Sequence, residues 1–297
     1  MTYDLLISAE QLQTLVASHA PVLVFDCTFE LTNPADGQAQ YLQSHIPGAV
    51  FADLDKALSD KQGTGETDKS RPPAASGGRH PLPQREAFAK WLGSAGLANN
   101  MQAVVYDRNG ANYCGRLWWM LKWAGHKNVA VLDGGWQAWQ AAGGAVKSGP
   151  ETPKNPSNYA LAQSLSALVA NKTVADNLGR PVQTLIDARG APRFRGEVEP
   201  LDPVAGHIPG ALNRPFSQNM GADGKFKPAG VLKAEFEALL AGRDPATVVH
   251  HCGSGVSAIP NILAMQIAGL GNSSTLGLYA GSWSDWCSDP SRPMAQG

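Results

Sequence analysis

The densest concentration of reactive side chains lies in TVVHHCGSGVSAIPNILAMQIAGLG (Thr247 to Gly271), where Cys252 follows two histidines and precedes a loop of two glycines and two serines. Val248 and Val249 form a short apolar run, and Ile259, Ile262, Leu263 and Ile267 recur at helical spacing, so the segment reads as strand, tight loop, helix. Pro260 is tolerated in a first helical turn, and Gly269 and Gly271 supply a C-terminal stop. Cys252 therefore falls at the carboxyl end of a strand, where open α/β sheets bind ligands. The loop Gly253, Ser254, Gly255, Val256, Ser257 can turn its N–H groups inward, because two glycines permit backbone conformations that a Cβ forbids. Such a cradle, beside a helix N-terminus, stabilises the thiolate, the form in which cysteine is a nucleophile, and equally a persulfide made from it. A phosphatase-type cradle would carry an arginine six residues after the cysteine to grip a phosphoryl group; here that position is Ala258, which disfavours phosphoryl chemistry.

The remaining cysteines, Cys27, Cys114 and Cys287, are scattered, with no C-x-x-C pair and no zinc-site spacing, so neither a disulfide scaffold nor a metal centre is expected. With 24 basic and 25 acidic residues the net charge is −1, which argues against nucleic acid or an acidic membrane held by bulk electrostatics. No run reaches the roughly 18 apolar residues of a membrane span. The start, MTYDLLISAEQLQTL, lacks the order of a signal peptide, so a soluble cytoplasmic protein is expected.

The chain has 297 residues, about two domains' worth at roughly 100 to 200 residues each. An internal repeat organises them. PVLVFDC, YLQSHIPGAV, AVVYDRNG and LDGGWQAW in the first half are matched in order by QTLIDAR, AGHIPGAL, TVVHHCGSG and YAGSWSDW in the second. Apolar runs at 22–25, 103–105, 129–132, 184–186 and 247–249 alternate with helix-like segments at 8–15, 85–97, 116–125 and 231–240, the first opened by Ser8 and Gln11 at capping-box spacing. The pattern predicts an α/β protein of two similar domains, 1–145 and 161–297, each a mainly parallel sheet flanked by helices, joined by a Gly/Pro-rich linker at 146–160. The polar stretch 59–83 reads as a long exposed loop. By strand alternation His250 and His251 point to opposite faces and read as core residues, His45 and His207 as braces of the HIPGA turns, and the tryptophans as packing.

Over essentially its whole length the sequence resembles the two-domain sulfurtransferases of the rhodanese superfamily. The resemblance rests on HIPGA in both halves (His45 to Ala49, His207 to Ala211), the loop CGSGVSA (Cys252 to Ala258) and the C-terminal stretch GSWSDWCSDPSRP (Gly281 to Pro293). It implies tandem rhodanese-like domains, the first catalytically silent because Asp107 stands where the second has Cys252. Members using thiosulfate resemble C-R-K-G-V-T at this loop and those using 3-mercaptopyruvate C-G-S-G-V-T; this chain has the second form with Ser257 for Thr. The resemblance further implies that arginines in DARGAPRFRGEVEPLDP (Asp187 to Pro203) hold the substrate. Arg193 matches one of them; the other, expected after Glu199 and Pro200, is replaced by Leu201, leaving Arg195 or Arg116 as substitutes. It also implies a relay of Ser254, His80 and Asp55 beside the cysteine for acid–base work.

Sulfur transfer from 3-mercaptopyruvate through a Cys252 persulfide, without metal or organic cofactor, to cyanide, a small thiol or thioredoxin is the resulting expectation. Thiosulfate:cyanide transfer, favoured by Leu201, and a weakly catalytic persulfide carrier or partner-binding module stay open as alternatives.

Overall fold

The computed structural model describes residues 2–62 and 72–297, and the chain divides into two compact units. The first comprises Met1–Ser59, Gln84–Leu165 and Met220–Phe226. Its elements in order are β1 (Leu6–Ile7), α1 (Ala9–Ala17), β2 (Val22–Asp26), α2 (Pro34–Gln43), β3 (Val50–Phe51), α3 (Arg85–Ser94), β4 (Gln102–Tyr106), α4 (Cys114–Trp123), β5 (Val129–Leu132) and α5 (Gly135–Ala141). Helix α1 opens with the capping box expected at Ser8 and Gln11, both of its hydrogen bonds being present. The sheet order is β1-β5-β4-β2-β3, and all of its pairings are parallel. β4 and β5 are buried throughout, as strands covered on both faces must be.

The second unit comprises Asp60–Pro83, Ser166–Asn219 and Lys227–Gly297. It contains β6 (Ala167–Leu168), α6 (Asn171–Asp176), β7 (Thr184–Asp187), α7 (Ala191–Phe194), β8 (Leu212–Asn213), α8 (Ala229–Leu240), β9 (Val248–His251), α9 (Ile259–Ile267), β10 (Gly277–Leu278) and α10 (Ser282–Trp286). Its sheet, again parallel, runs β6-β10-β9-β7-β8, the same permutation as the first unit's. The sequence repeat is thus a repeat of topology, and the α/β architecture with two parallel five-stranded sheets is the one the strand and helix pattern predicts.

The HIPGA turns repeat in atomic detail. The His45 main chain exchanges two hydrogen bonds with Lys147, and that of His207 with Ala295. Each ring presents Nδ1 to a carbonyl, Tyr41 at 2.7 Å and Phe194 at 2.8 Å, and stacks on that residue's aromatic ring. Gly48 and Gly210 both take φ +78°, where a Cβ is strained. The stretch 146–160 contains no helix or strand and is fastened to the first unit, for example by Ser157 N–H on the Gly93 carbonyl at 2.8 Å.

The 59–83 stretch departs from its expected exposure at its end, while residues 61, 62, 72 and 73 are exposed as expected. Residues 63–71 lie outside the described residues, but residues 80–83 are buried and pack with the second unit, into which the chain returns only after residue 165. No helix among the described residues is long and apolar enough to cross a membrane.

His250 and His251 are fully buried on β9, and neither ring nitrogen of His250 has a hydrogen-bond partner among the described residues. Burial pushes His250 down to about 3. Between the unfolded value near 6.5 and that folded value only the unfolded chain takes up the proton, so His250 withdraws stability as pH falls through this window. His250→Leu is expected to shrink the loss of urea midpoint between pH 7 and pH 5; an unchanged slope would show that the folded protein protonates His250 as readily as the unfolded chain does.

Candidate active site

Cys252 is the first residue beyond β9 and is 2% exposed. Its place is set by the N-terminal turn of α10. The Cys252 N–H donates to Ser282 Oγ at 3.1 Å, the Cys252 carbonyl accepts from Trp283 N–H at 3.0 Å, and the Gly253 carbonyl accepts from Ser284 N–H at 2.9 Å. Ser282 takes φ +57°, a left-handed conformation costly for a residue with a side chain, while its hydroxyl also donates to the Tyr279 carbonyl at 3.0 Å. The two loop glycines, expected alike to supply unusual backbone, do different things. Gly255 takes φ +73°, and a Cβ there would collide with the Ala280 carbonyl oxygen. Gly253 has no positive φ; its bare α-carbon instead leaves room for arginines.

The first unit shows what such a loop can hold. At Asp107, in the position matching Cys252, the carboxylate accepts from the N–H groups of Asn109 (2.9 Å), Ala111 (3.1 Å), Tyr113 (2.8 Å) and Cys114 (2.9 Å). Trp136 N–H donates to the Asp107 carbonyl at 3.0 Å, as Trp283 does to Cys252. A loop of this build at the end of this strand therefore gathers main-chain donors on one anion, a carboxylate in the first copy. Burial pushes the thiols of the other three cysteines, Cys27, Cys114 and Cys287, upward, towards the protonated form.

A second arm reaches the loop from residues 75–82. Gly77 and Gly78 lie so close to α10 that a Cβ on Gly77 would stand 2.8 Å from Asp285 Cγ, and one on Gly78 2.8 Å from Ser284 Oγ. Arg79 N–H then donates to Ser284 Oγ at 2.9 Å, and Ala75 N–H closes the turn on the Leu82 carbonyl at 2.8 Å. This docking delivers two side chains. His80 is buried, with Nδ1 in a 2.8 Å hydrogen bond to Ser254 Oγ, so the histidine and serine of the expected relay are brought together. A Cβ on Gly253 would lie 3.1 Å from Arg79 Nη2 and 3.6 and 3.7 Å from Arg193 Nη1 and Nη2, so both guanidinium groups overlie the residue next to Cys252.

Carboxylates aim these arginines. Glu199 takes Arg193 through Nε (3.1 Å) and Nη2 (2.6 Å), and Asp202 accepts from Arg193 Nη2 at 3.2 Å and from Arg79 Nη1 at 2.5 Å. Burial alone would raise the Glu199 carboxyl, but its bond from Arg193 and two main-chain donors hold it below the usual range; for Asp202 burial prevails over Arg79 and the carboxyl is raised. Behind them Arg189 is buried on Asp187 (2.7 Å) and on the Gly206 carbonyl (2.7 Å), with its guanidinium over the Trp283 ring. Burial would raise Asp187 too; His251 and Arg189 reverse this and keep it low.

The other expected residues lie as follows. Val256 is buried and Ser257 half-buried in the loop. Arg195 turns to the surface, its Nε on Glu197 at 2.6 Å, and Leu201 is exposed. Arg116 is fully buried in the first unit, with Nη2 3.2 Å from the Leu58 carbonyl. Asp55 also belongs to the first unit, where its N–H donates to Asp53 Oδ1 at 2.9 Å. The sequence reading missed Arg79, although it adjoins His80 in GGRHPLP, and it missed Asp202. Among the described residues no group of three or more His, Cys, Asp or Glu is arranged to hold a metal.

Comparison with known proteins agrees with this architecture. The model of the rhodanese-like domain matches residues 8–142 and again 170–289. The chain is 44% identical over 98% of its length, and 98% of the relative's, to a Pseudomonas aeruginosa protein named "Probable 3-mercaptopyruvate sulfurtransferase". It is 31% identical to the thiosulfate sulfurtransferase of Bos taurus, over 89% of this chain and 84% of that one. Among solved structures, SseA from Escherichia coli, described with the 3-mercaptopyruvate sulfotransferases, superposes with a TM-score of 0.75 at 28% identity, covering 95% of this chain and all of that one. Two matches to one domain model, two sheets of one topology and full-length relatives place this chain in the rhodanese-like family, with two such domains in tandem.

Proposed function

We propose that the protein is a sulfurtransferase that takes sulfur from 3-mercaptopyruvate onto Cys252 and passes it to a thiol or to cyanide. The observation that carries this reading is the joint placement, around one cysteine loop, of a relay (His80 on Ser254) and of guanidinium edges over Gly253. The Cys252 thiolate attacks the donor sulfur, a sulfur–sulfur bond forms and the carbon–sulfur bond breaks. The bonding pair leaves with the three-carbon fragment as the pyruvate enolate, which a proton supplied through Ser254 and His80 converts to pyruvate. The persulfide then yields its outer sulfur to the acceptor, leaving the thiolate. Arg193 holds the donor's carboxylate, its planar fork suiting an α-keto acid. The main-chain N–H groups of Gly253, Gly255, Val256 and Ser257 receive the sulfur anion, and Asp107 keeps the first domain, 1–145, silent. The names of the Pseudomonas and Escherichia relatives support the donor.

Thiosulfate is the second reading, favoured by the two guanidinium groups beside the loop, which suit a dianion, and by the name of the bovine relative. We place the protein in the cytoplasm with thioredoxin or a small thiol as acceptor, because its four cysteines are free and persulfide turnover needs a reductant.

Cyanide-dependent thiocyanate formation tests the donor. The intact protein is expected to show the higher kcat/KM with 3-mercaptopyruvate and Cys252→Ala none; a higher value with thiosulfate would transfer the assignment to that donor. His80→Gln is expected to lower kcat by roughly 100-fold, the ordinary scale of general acid–base help, with KM little changed; an undiminished kcat would remove His80 from the proton path.

A further inference from the structure

The position after Glu199 and Pro200 that would carry a second substrate arginine holds Leu201, and Arg195 is paired with Glu197 at the surface rather than with the Glu199 and Asp202 carboxylates. Arg79 does. It comes from the Gly-Gly-Arg-His turn, 123 positions from Asp202 in the chain, and is bonded to that carboxylate through Nη1. Arg193 is bonded to the same carboxylate through Nη2, so Asp202 spaces the two guanidinium groups. Each arginine has one edge engaged and another without a hydrogen-bond partner among the described residues: Nη2 of Arg79 and Nη1 of Arg193. Those are the atoms nearest to Gly253 from each side chain, at 3.1 and 3.6 Å from where its Cβ would be. Both side chains keep partial access to solvent, 24% and 20%, whereas Asp202 beneath them is 3% exposed. Two aimed, solvent-reachable and unsatisfied donor edges of one sign, one residue from the nucleophile, form a receptor for a small planar anion.

We propose that Arg79 is the second substrate arginine of this enzyme, gripping the donor's carboxylate together with Arg193 across Asp202. The proposal rests on the mercaptopyruvate reading and names the residue that sets its specificity for an α-keto acid. The arginine is supplied from the arm that carries His80, so the carboxylate grip and the proton relay share one backbone turn docked on α10. Carboxylate recognition and relay placement are thereby coupled: a donor held by Arg79 is held by the turn that positions the relay.

The test compares 3-mercaptopyruvate with mercaptoacetone, the same keto thiol with a methyl group for the carboxylate. The readout is the ratio of their kcat/KM values, which is independent of the folded fraction in a preparation. The intact protein is expected to prefer 3-mercaptopyruvate, Arg79→Gln to lose roughly 10- to 100-fold of that ratio, as for one charge-assisted hydrogen bond, chiefly through KM, and Arg79→Lys to recover part of it. A ratio unchanged in Arg79→Gln would overturn the proposal while leaving the donor assignment standing. Equal losses on both donors in Arg79→Gln and Arg79→Lys would also overturn it, assigning Arg79 to loop support. An intact protein without preference for the carboxylate would overturn the mercaptopyruvate reading and Arg79's role with it.

Discussion

The site depends on one joint: the tie between the peptide at Cys252 and the first turn of α10. Three hydrogen bonds, from Cys252 N–H to Ser282 and from Trp283 and Ser284 N–H to successive carbonyls, fix the backbone at Cys252. Cys252, Gly253, Ser282 and Trp283 are buried, so their main-chain groups would be costly to leave unpaired, which explains why Ser282 is kept in a left-handed conformation that disfavours a side chain. The joint is also an attachment point. Ser284 Oγ accepts from Arg79, and the glycines at 77 and 78 exist to let that arm approach the helix. A single short helix thus holds both the backbone at Cys252 and the turn that carries Arg79 and His80, while Glu199 and Asp202 hold Arg193.

The two copies of the domain separate what the fold supplies from what the chemistry requires. Strand order, the braced HIPGA turns and the tryptophan N–H on the loop carbonyl occur in both. In the first copy the loop's donors close on the side chain of Asp107, an anion built into the chain, and the next residue is Arg108 rather than a glycine. In the second, the residue with the matching place is a thiol and the next is glycine. In the proposed reaction, a thiol in place of the fixed carboxylate turns a structural turn into a receptor for exchangeable anionic sulfur.

Much of this was legible in the sequence because the relevant signals are local. β-branched runs, the Ser8 capping box, Pro260 in a first turn and the repeated HIPGA blocks each act within a few residues, and each is found where periodicity places it. The cysteine loop was legible for the same reason. The end of the 59–83 stretch was not: its polar composition suggested exposure, while residues 80–83 are buried, next to glycines that allow close approach to a helix two hundred residues away in the chain. Arg79 was hidden by that same separation. An arginine next to a loop histidine carries no local mark of function, and only Asp202, itself inconspicuous in EPLDP, draws it to Arg193. Conversely, Arg195, a candidate substitute for the arginine missing at Leu201, has a surface partner in Glu197 two residues on.

In the proposed reaction Cys252 alone carries the transferred sulfur. Intact-mass and peptide mass spectrometry after exposure to 3-mercaptopyruvate without acceptor tests it most directly. One added sulfur atom on the Cys252 peptide, discharged by cyanide and absent in Cys252→Ala, is the predicted result; sulfur resident on Cys27, Cys114 or Cys287, or persisting in the Cys252→Ala protein, would contradict it.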